Sequence, residues 1–213
     1  MDFTRFMDLL ESRSLWFTRL DQLEDPLEGT HTDAELAGIR GHLPQKRANE
    51  IIRVFRQAKR GLYVNCWRSG KAESLAMWDL YGKGSGNIAI KSTVGLLKSA
   101  VKRYHQPLYI SKVGYLDWSG ASGLDNVLVA CSRKDLSYQH ESEVRLIVMD
   151  TSSHPRKTPE LGLRMAVELE DLVTEIVVGP REPKWVVQLI KNLLSKHELT
   201  QPVVQSDRLT PRD

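Results

Sequence analysis

The stretch YQHESEVRLIVM, residues 138–149, decides how the chain is read. Its second half, EVRLIVM, is a short apolar run rich in β-branched residues, which predicts a buried strand over 143–149. Glu141 and Glu143 stand two residues apart at its entrance, and Arg145 follows at the next step. Alternation along a strand puts all three side chains on one face. Two carboxylates and a guanidinium in a row do not help a strand to bury itself. They fit a site, with Glu143 as its chemical group and Arg145 as its structural partner.

Working outward, apolar spacing predicts a helix in TRFMDLLES and a strand in LWFTRL (15–20). An acidic loop, DQLEDPLEGT (21–30), follows. The segment from Asp33 to Arg60 reads as helical, with Pro44 opening its second half and Gly61 ending it. Strands are expected at 62–68, 86–93, 108–117, 165–169, 175–180 and around 203–207. Helices are expected at 73–82, 94–104, 123–134 and 183–199. TSSHPRKTPE (151–160) reads as a polar, mobile loop. Strands and helices intersperse without regular βαβ alternation. That predicts an α+β fold, a single domain over 1–209 with a mixed, largely antiparallel sheet flanked by helices, a helical insertion at about 31–61, and a frayed tail at 210–213.

Composition sets outer bounds. The 213 residues carry 30 Lys and Arg against 27 Asp and Glu, a net charge of +3, and are 41% hydrophobic. This mild basicity permits a nucleic-acid or nucleotide partner without requiring one. Cys66 and Cys131 form no CxxC pair, which disfavours a structural zinc site and suits a reducing, cytoplasmic setting. No apolar run approaches the length of a membrane span, so no membrane partner is expected. The GKGSGN turn (82–87) runs into a strand rather than a helix, which argues against a dinucleotide fold or P-loop.

Three segments concentrate chemistry. Arg19 ends a strand before Asp21, Glu24, Asp25 and Glu28, where its fork suits a phosphate. Trp78 and Tyr81 lie in one aromatic-rich span and can stack on a flat ring, and Ser92 ends a strand. The third is the Glu141–Glu143 pair. A metal-dependent nuclease assembled from Asp25, Glu28, Glu141, Glu143 and Lys91 stays open, although no metal is expected. So does a nucleic-acid binder using the basic face of 44–60.

The segments LWFTRLDQLEDPLEG, NCWRSGKAESLAMWDLY, GNIAIK, HESEVRLI and TEIVVGP, in that order, resemble a widespread bacterial domain-of-unknown-function family of conserved hypothetical proteins. The order of an arginine on a first strand, Ser-Thr on a middle strand and Glu-x-Glu at a late one is also similar to ADP-ribosyltransferases. That second resemblance implies NAD as co-substrate in an α+β cleft. It implies Arg19 on an NAD phosphate, Ser92 and an aromatic such as Tyr81 or Trp78 at the nicotinamide, Glu143 at the developing oxocarbenium ion, and Glu141 toward the acceptor. Oligomeric state and acceptor lie beyond the sequence.

Overall fold

The computed structural model describes residues 1–82, 86–120, 126–150 and 161–210. In chain order the elements are α1 (Phe3–Ser12), β1 (Ser14–Arg19), α2 (Asp33–His42), α3 (Gln45–Ala58), β2 (Leu62–Arg68), α4 (Leu75–Tyr81), β3 (Ile88–Lys91), α5 (Val94–Ala100), β4 (Leu108–Lys112), β5 (Gly114–Leu116), α6 (Val127–Ala130), β6 (Arg133–Asp135), β7 (Glu143–Met149), β8 (Gly162–Ala166), α7 (Leu169–Leu172), β9 (Glu175–Val178), α8 (Trp185–Lys196) and β10 (Val203–Gln205). The expected α+β class holds, with a five-stranded, mostly antiparallel sheet and flanking helices. Among the described residues, no helix is long and apolar enough to cross a membrane.

The sequence reading places one domain over 1–209. By contact the chain divides into two compact units, one of Met1–Leu15, Gly70–Arg103 and Met165–Asp213, the other of Trp16–Ser69 and Tyr104–Arg164. The first unit is built on a sheet in the order β10-β9-β3, where β10 runs parallel and β3 antiparallel to β9. Phe6, Leu9 and Leu10 form the buried stripe of α1, at the spacing a helix needs to present one face. They line one apolar pocket with Ile90, Leu169, Val173, Ile176 and Leu199.

The second unit carries the sheet in the order β4-β7-β2-β1-β8. Its middle is the long antiparallel pair of β2 and β7, in register from Leu62↔Met149 to Arg68↔Glu143. Alternation puts Leu62, Val64, Cys66 and Arg68 on one face, beside Met149, Ile147, Arg145 and Glu143. At one end of that face Leu20, Leu62, Val64, Cys131 and Ile147 form a buried apolar cluster. At the other end the residues are charged, and the site described below begins there.

Segment 31–61 holds two helices, α2 and α3. Thr32 and Glu35 close a capping box at the start of α2. Glu35 also holds the buried Arg133 of β6, with Nη1 to Oε1 at 2.7 Å. In α3, Ala48 and Ile52 pack on Ile39 of α2, and Phe55 stacks on the His31 ring at 4.1 Å. The packed face of α3 thus runs through Ala48 and Ile52, while Ile51 is exposed.

Two expectations fail locally. Of the helix expected over 123–134, residues 123–125 lie outside the described residues and the rest holds a single turn at Val127–Ala130, capped at its start by the Asn126 side chain, which accepts from the Leu128 and Val129 N–H groups. Arg133–Asp135 then turns extended and pairs in parallel with β5. The strand expected over 108–117 is broken at Val113, so β4 joins the large sheet while β5 leaves it. Segment 151–160 and the end of the tail lie outside the described residues.

Trp16 lies across β8 at Gly162, where a Cβ would come within 2.2 Å of the indole and 2.5 Å of the Phe17 carbonyl. Gly162→Ala is expected to lower unfolding stability by about 1–3 kcal/mol, because neither obstacle is the free end of a flexible chain. Urea unfolding of the variant with an unchanged midpoint would mean that Trp16 does not rest there.

Candidate functional site

The β7 strand begins at Glu143, not at Glu141. Residues Leu136–Glu141 form a 3₁₀ helix, and Ser142 turns the chain in the left-handed region at φ 47°. Glu141 and Glu143 still meet, but a turn brings them together rather than strand alternation. Their meeting point is Lys134 of β6. Its Nζ lies 2.6 Å from Glu141 Oε2, 3.4 Å from Glu143 Oε2 and 3.4 Å from Glu28 Oε1.

Arg145 is the other hub, and it is fully buried. Its Nε donates to Glu143 Oε1 at 2.7 Å and its Nη2 to Glu143 Oε2 at 3.0 Å, a two-point contact that fixes the carboxylate plane. Its Nη1 donates to the Cys131 carbonyl at 2.7 Å, and Nη2 also pairs with Glu28. Glu28 and Glu143 thus share one guanidinium nitrogen. Glu28, Lys134, Glu141, Glu143 and Arg145 are each less than a tenth exposed. Three carboxylates face two cations in this set, so full ionisation would leave one buried negative charge.

That imbalance separates the acids. Burial pushes the Glu28 carboxyl up, and its two cationic neighbours recover only part of the shift. Burial would raise Glu143 too. There the Arg145 hydrogen bonds and charge, the Cys66 thiol and Lys134 outweigh it, and the carboxyl is held below its ordinary range. Burial lowers the proton affinity of Lys134, but Glu141 and the other acids more than restore it, so the ammonium stays charged.

Nearby groups complete the site. The Tyr115 hydroxyl accepts from the Glu143 backbone N–H at 2.8 Å, which leaves its own proton to be donated elsewhere. Tyr138 lies against the Lys134 ammonium, 4.7 Å from the ring centre. Asp25 accepts from the Leu27 N–H at 2.9 Å, while its Oδ2 is buried with no hydrogen-bond partner among the described residues. The face then opens. Cys66 reaches solvent, although its sulfur is packed beside Glu143 and Arg145. Trp16, on the same face of β1 by alternation from Thr18↔Val64, is 43% exposed, with the Arg164 guanidinium 5.6 Å from its ring centre.

The residues singled out in the sequence divide between the two units. Glu141, Glu143 and Arg145 converge as expected. Arg19 does not join them: it pairs in register with Tyr63, which places it on the opposite face of the sheet from Glu143, and it is bound to Asp21. Ser92, Trp78 and Tyr81 belong to the other unit. There Ser92 Oγ donates to the Leu172 carbonyl at 2.6 Å, Trp78 Nε1 donates to Glu73 at 3.2 Å, and Tyr81 is exposed. Lys91, counted toward a metal-dependent nuclease, pairs with Glu175 in that same unit. Among the described residues, no group of three His, Cys, Asp or Glu side chains is arranged to hold a metal ion. Lys134, Tyr115 and Trp16 were not singled out from the sequence, and Glu28 only as a metal-site candidate. The one usable signal for Glu28 is its place in the DPLEG segment of the acidic loop. No family model, curated protein or solved structure matches the chain.

Arg145→Met would leave Glu28 and Glu143 buried without their shared cation. The expected loss is about 3–5 kcal/mol in chemical unfolding at pH 7, with part restored by adding Glu28→Gln. If the double variant merely sums the two single effects, the shared-guanidinium geometry is wrong.

The linkage of Glu28 has a definite sign. Its folded-state carboxyl lies above the ordinary glutamate value of 4.5, so its contribution favours the fold at low pH and is lost as pH rises through the folded value. Relative to wild type, Glu28→Gln should therefore gain stability as pH rises above the ordinary glutamate value and level off once the folded-state carboxyl has ionised. Glu143, shifted down, runs the other way and weakens the fold only as pH falls below its ordinary range. A Glu28→Gln difference that is flat with pH would remove the imbalance argument.

Proposed function

We propose that the second unit is a glycosyl-transfer site acting on the C–N bond between ribose and nicotinamide in NAD, in a cytoplasmic enzyme similar in chemistry to ADP-ribosyltransferases. One observation supports this above the rest: two carboxylates share the Arg145 guanidinium while their proton affinities are driven in opposite directions. Such a split is how one site assigns a permanent charge to one acid and a proton-transfer task to another.

In this reading Glu143 stays ionised and sits under ribose C1′. The C1′–N bond breaks, its electron pair leaves with nicotinamide, and the positive charge on the sugar is stabilised by the Glu143 carboxylate. A hydroxyl nucleophile, of water or of an acceptor, adds to C1′ and gives its proton to ionised Glu28. A carboxylate with a raised proton affinity is a better base than an ordinary one. Glu141 and Lys134 hold Glu143 and Glu28 in place. Asp25 Oδ2 offers an acceptor for a ribose hydroxyl, and the Tyr115 proton a donor for a phosphate. The exposed indole of Trp16, rather than Trp78 or Tyr81, supplies a flat surface on the open part of the same sheet face. β1 is two strands from β7, about 10 Å away, within reach of a dinucleotide.

The test is nicotinamide release from NAD by the purified chain, followed across pH. Release should rise with pH through a group titrating above the ordinary glutamate value and then level off. That limb should vanish in Glu28→Gln. Glu143→Gln should lower kcat by about 100-fold or more when assayed below its melting temperature. Trp16→Ala should raise KM more than it lowers kcat. Absence of nicotinamide release, together with no rise in Tm on adding NAD, would sink the reading.

A further inference from the structure

The outward side of α3 has an unusual pattern. Lys46, Asn49, Arg53, Arg56, Gln57 and Arg60 recur at three- and four-residue steps and all are exposed. At 100° per residue they form one stripe, about 20 Å long and continued by Arg60 in the 3₁₀ turn Lys59–Gly61, that holds cations and amides, with Glu50 the one acid at its edge. The segment 45–60 has six basic residues against one acid, Glu50, while the whole chain is nearly balanced at 30 to 27.

These charges are not neutralised by the fold. Among the described residues neither Lys46, Arg53 nor Arg56 makes an ion pair, and Glu50 makes none with them. Only Arg60 approaches a carboxylate, Asp21 at 3.9 Å. A surface helix normally intersperses acids at i,i+4 to offset such repulsion. Here a single acid, Glu50, stands at such a spacing, four residues after Lys46 and three before Arg53, against four stripe cations, and the opposite face adds no other, being packed through Ala48, Ile52 and Phe55.

We propose that the α3 stripe binds the phosphate backbone of a nucleic acid, independently of any chemistry at Glu143. Phosphates spaced along a polyanion match a row of guanidinium groups. Asn49 and Gln57, set between the cations, can both donate and accept hydrogen bonds at a sugar or base edge. A bilayer fits less well, since a membrane-surface helix carries bulky apolar or aromatic residues beside its charges. On α3 the exposed apolar residues are Ile51 and Val54, both off the stripe, and no exposed aromatic accompanies them.

The experiment is fluorescence anisotropy of a labelled DNA duplex of about two helical turns, titrated with the full chain without NAD. Four stripe cations predict a slope of log affinity against log salt near −3.6, about a 100-fold loss between 50 and 200 mM. Arg53→Glu should weaken binding at least tenfold at low salt and flatten the slope. Arg47→Glu changes the charge equally but lies off the stripe, and it should cost less than threefold. Both sites are exposed, and unchanged melting temperatures confirm that the variants fold. No saturable binding at about 50 mM salt, or equal losses in the two variants, overturns the proposal. So does tighter binding to phosphatidylserine vesicles than to the duplex.

Discussion

A guanidinium with no access to water is the constraint from which the second unit follows. Arg145 cannot lose its proton, so every donor it brings into the interior must find an acceptor. It finds Glu143 two residues back on its own strand, Glu28 from the acidic loop and the Cys131 carbonyl beyond the short α6 turn. These three come from far-separated parts of the chain, and meeting one side chain fixes them relative to one another. Lys134 repeats the arrangement from the next strand, tying Glu28, Glu141 and Glu143 a second time. A buried ion pair is poor evidence of added stability, because an apolar replacement of similar volume is often as stable. Five charges kept where leucines could pack argue for a chemical use of their charge. The surplus of one carboxylate points the same way, since a purely structural set would balance.

The strands were legible in the sequence because they depend on local pattern. EVRLIVM, LYVNCWR and LWFTR are runs of β-branched, aromatic and aliphatic residues bounded by polar ones, and each forms a strand where expected. The α2–α3 pair was legible for the same reason, with the capping box at Thr32–Glu35 and Pro44 between the helices. SRKD was not. Its three-residue strand exists only because β5 lies alongside, and such pairing leaves no trace in local composition.

The site was half legible, and the division has a physical cause. Glu141, Glu143 and Arg145 are neighbours in sequence, so spacing alone could suggest that they act together. Even so the reason was partly mistaken: left-handed Ser142, not strand alternation, delivers Glu141. Glu28, Lys134 and Tyr115 reach the same point across separations that no spacing rule covers. Arg19 shows the opposite error. Its position at a strand end suggested a phosphate site, but face is set by pairing parity. The register Arg19↔Tyr63 sends it away from Glu143 and toward Asp21.

That parity also links fold and site more tightly than a shared scaffold would. Along β2 and β7 one face runs from Leu62 and Met149, through Val64 and Ile147, to Cys66 with Arg145 and Arg68 with Glu143. The same alternation that buries the apolar pairs at one end gathers the charged pairs at the other. A slip of one residue in β7 would turn Arg145 and Glu143 to the opposite face and bring Val144 and Leu146 to the site. It would bury charge against Tyr63 and Phe17 and leave Glu28 and Lys134 with no partners on β7. Misregister therefore loses on both faces at once, through desolvated charge on one and stranded carboxylates on the other. The charged pairs cost energy as isolated interactions, yet the native register lets Arg145 reach Glu28 and Glu143 meet Lys134, which a one-residue slip does not. The same residues that hold the register also present Glu143 and Glu28 on one guanidinium nitrogen, so a correctly paired sheet already has its two carboxylates in place.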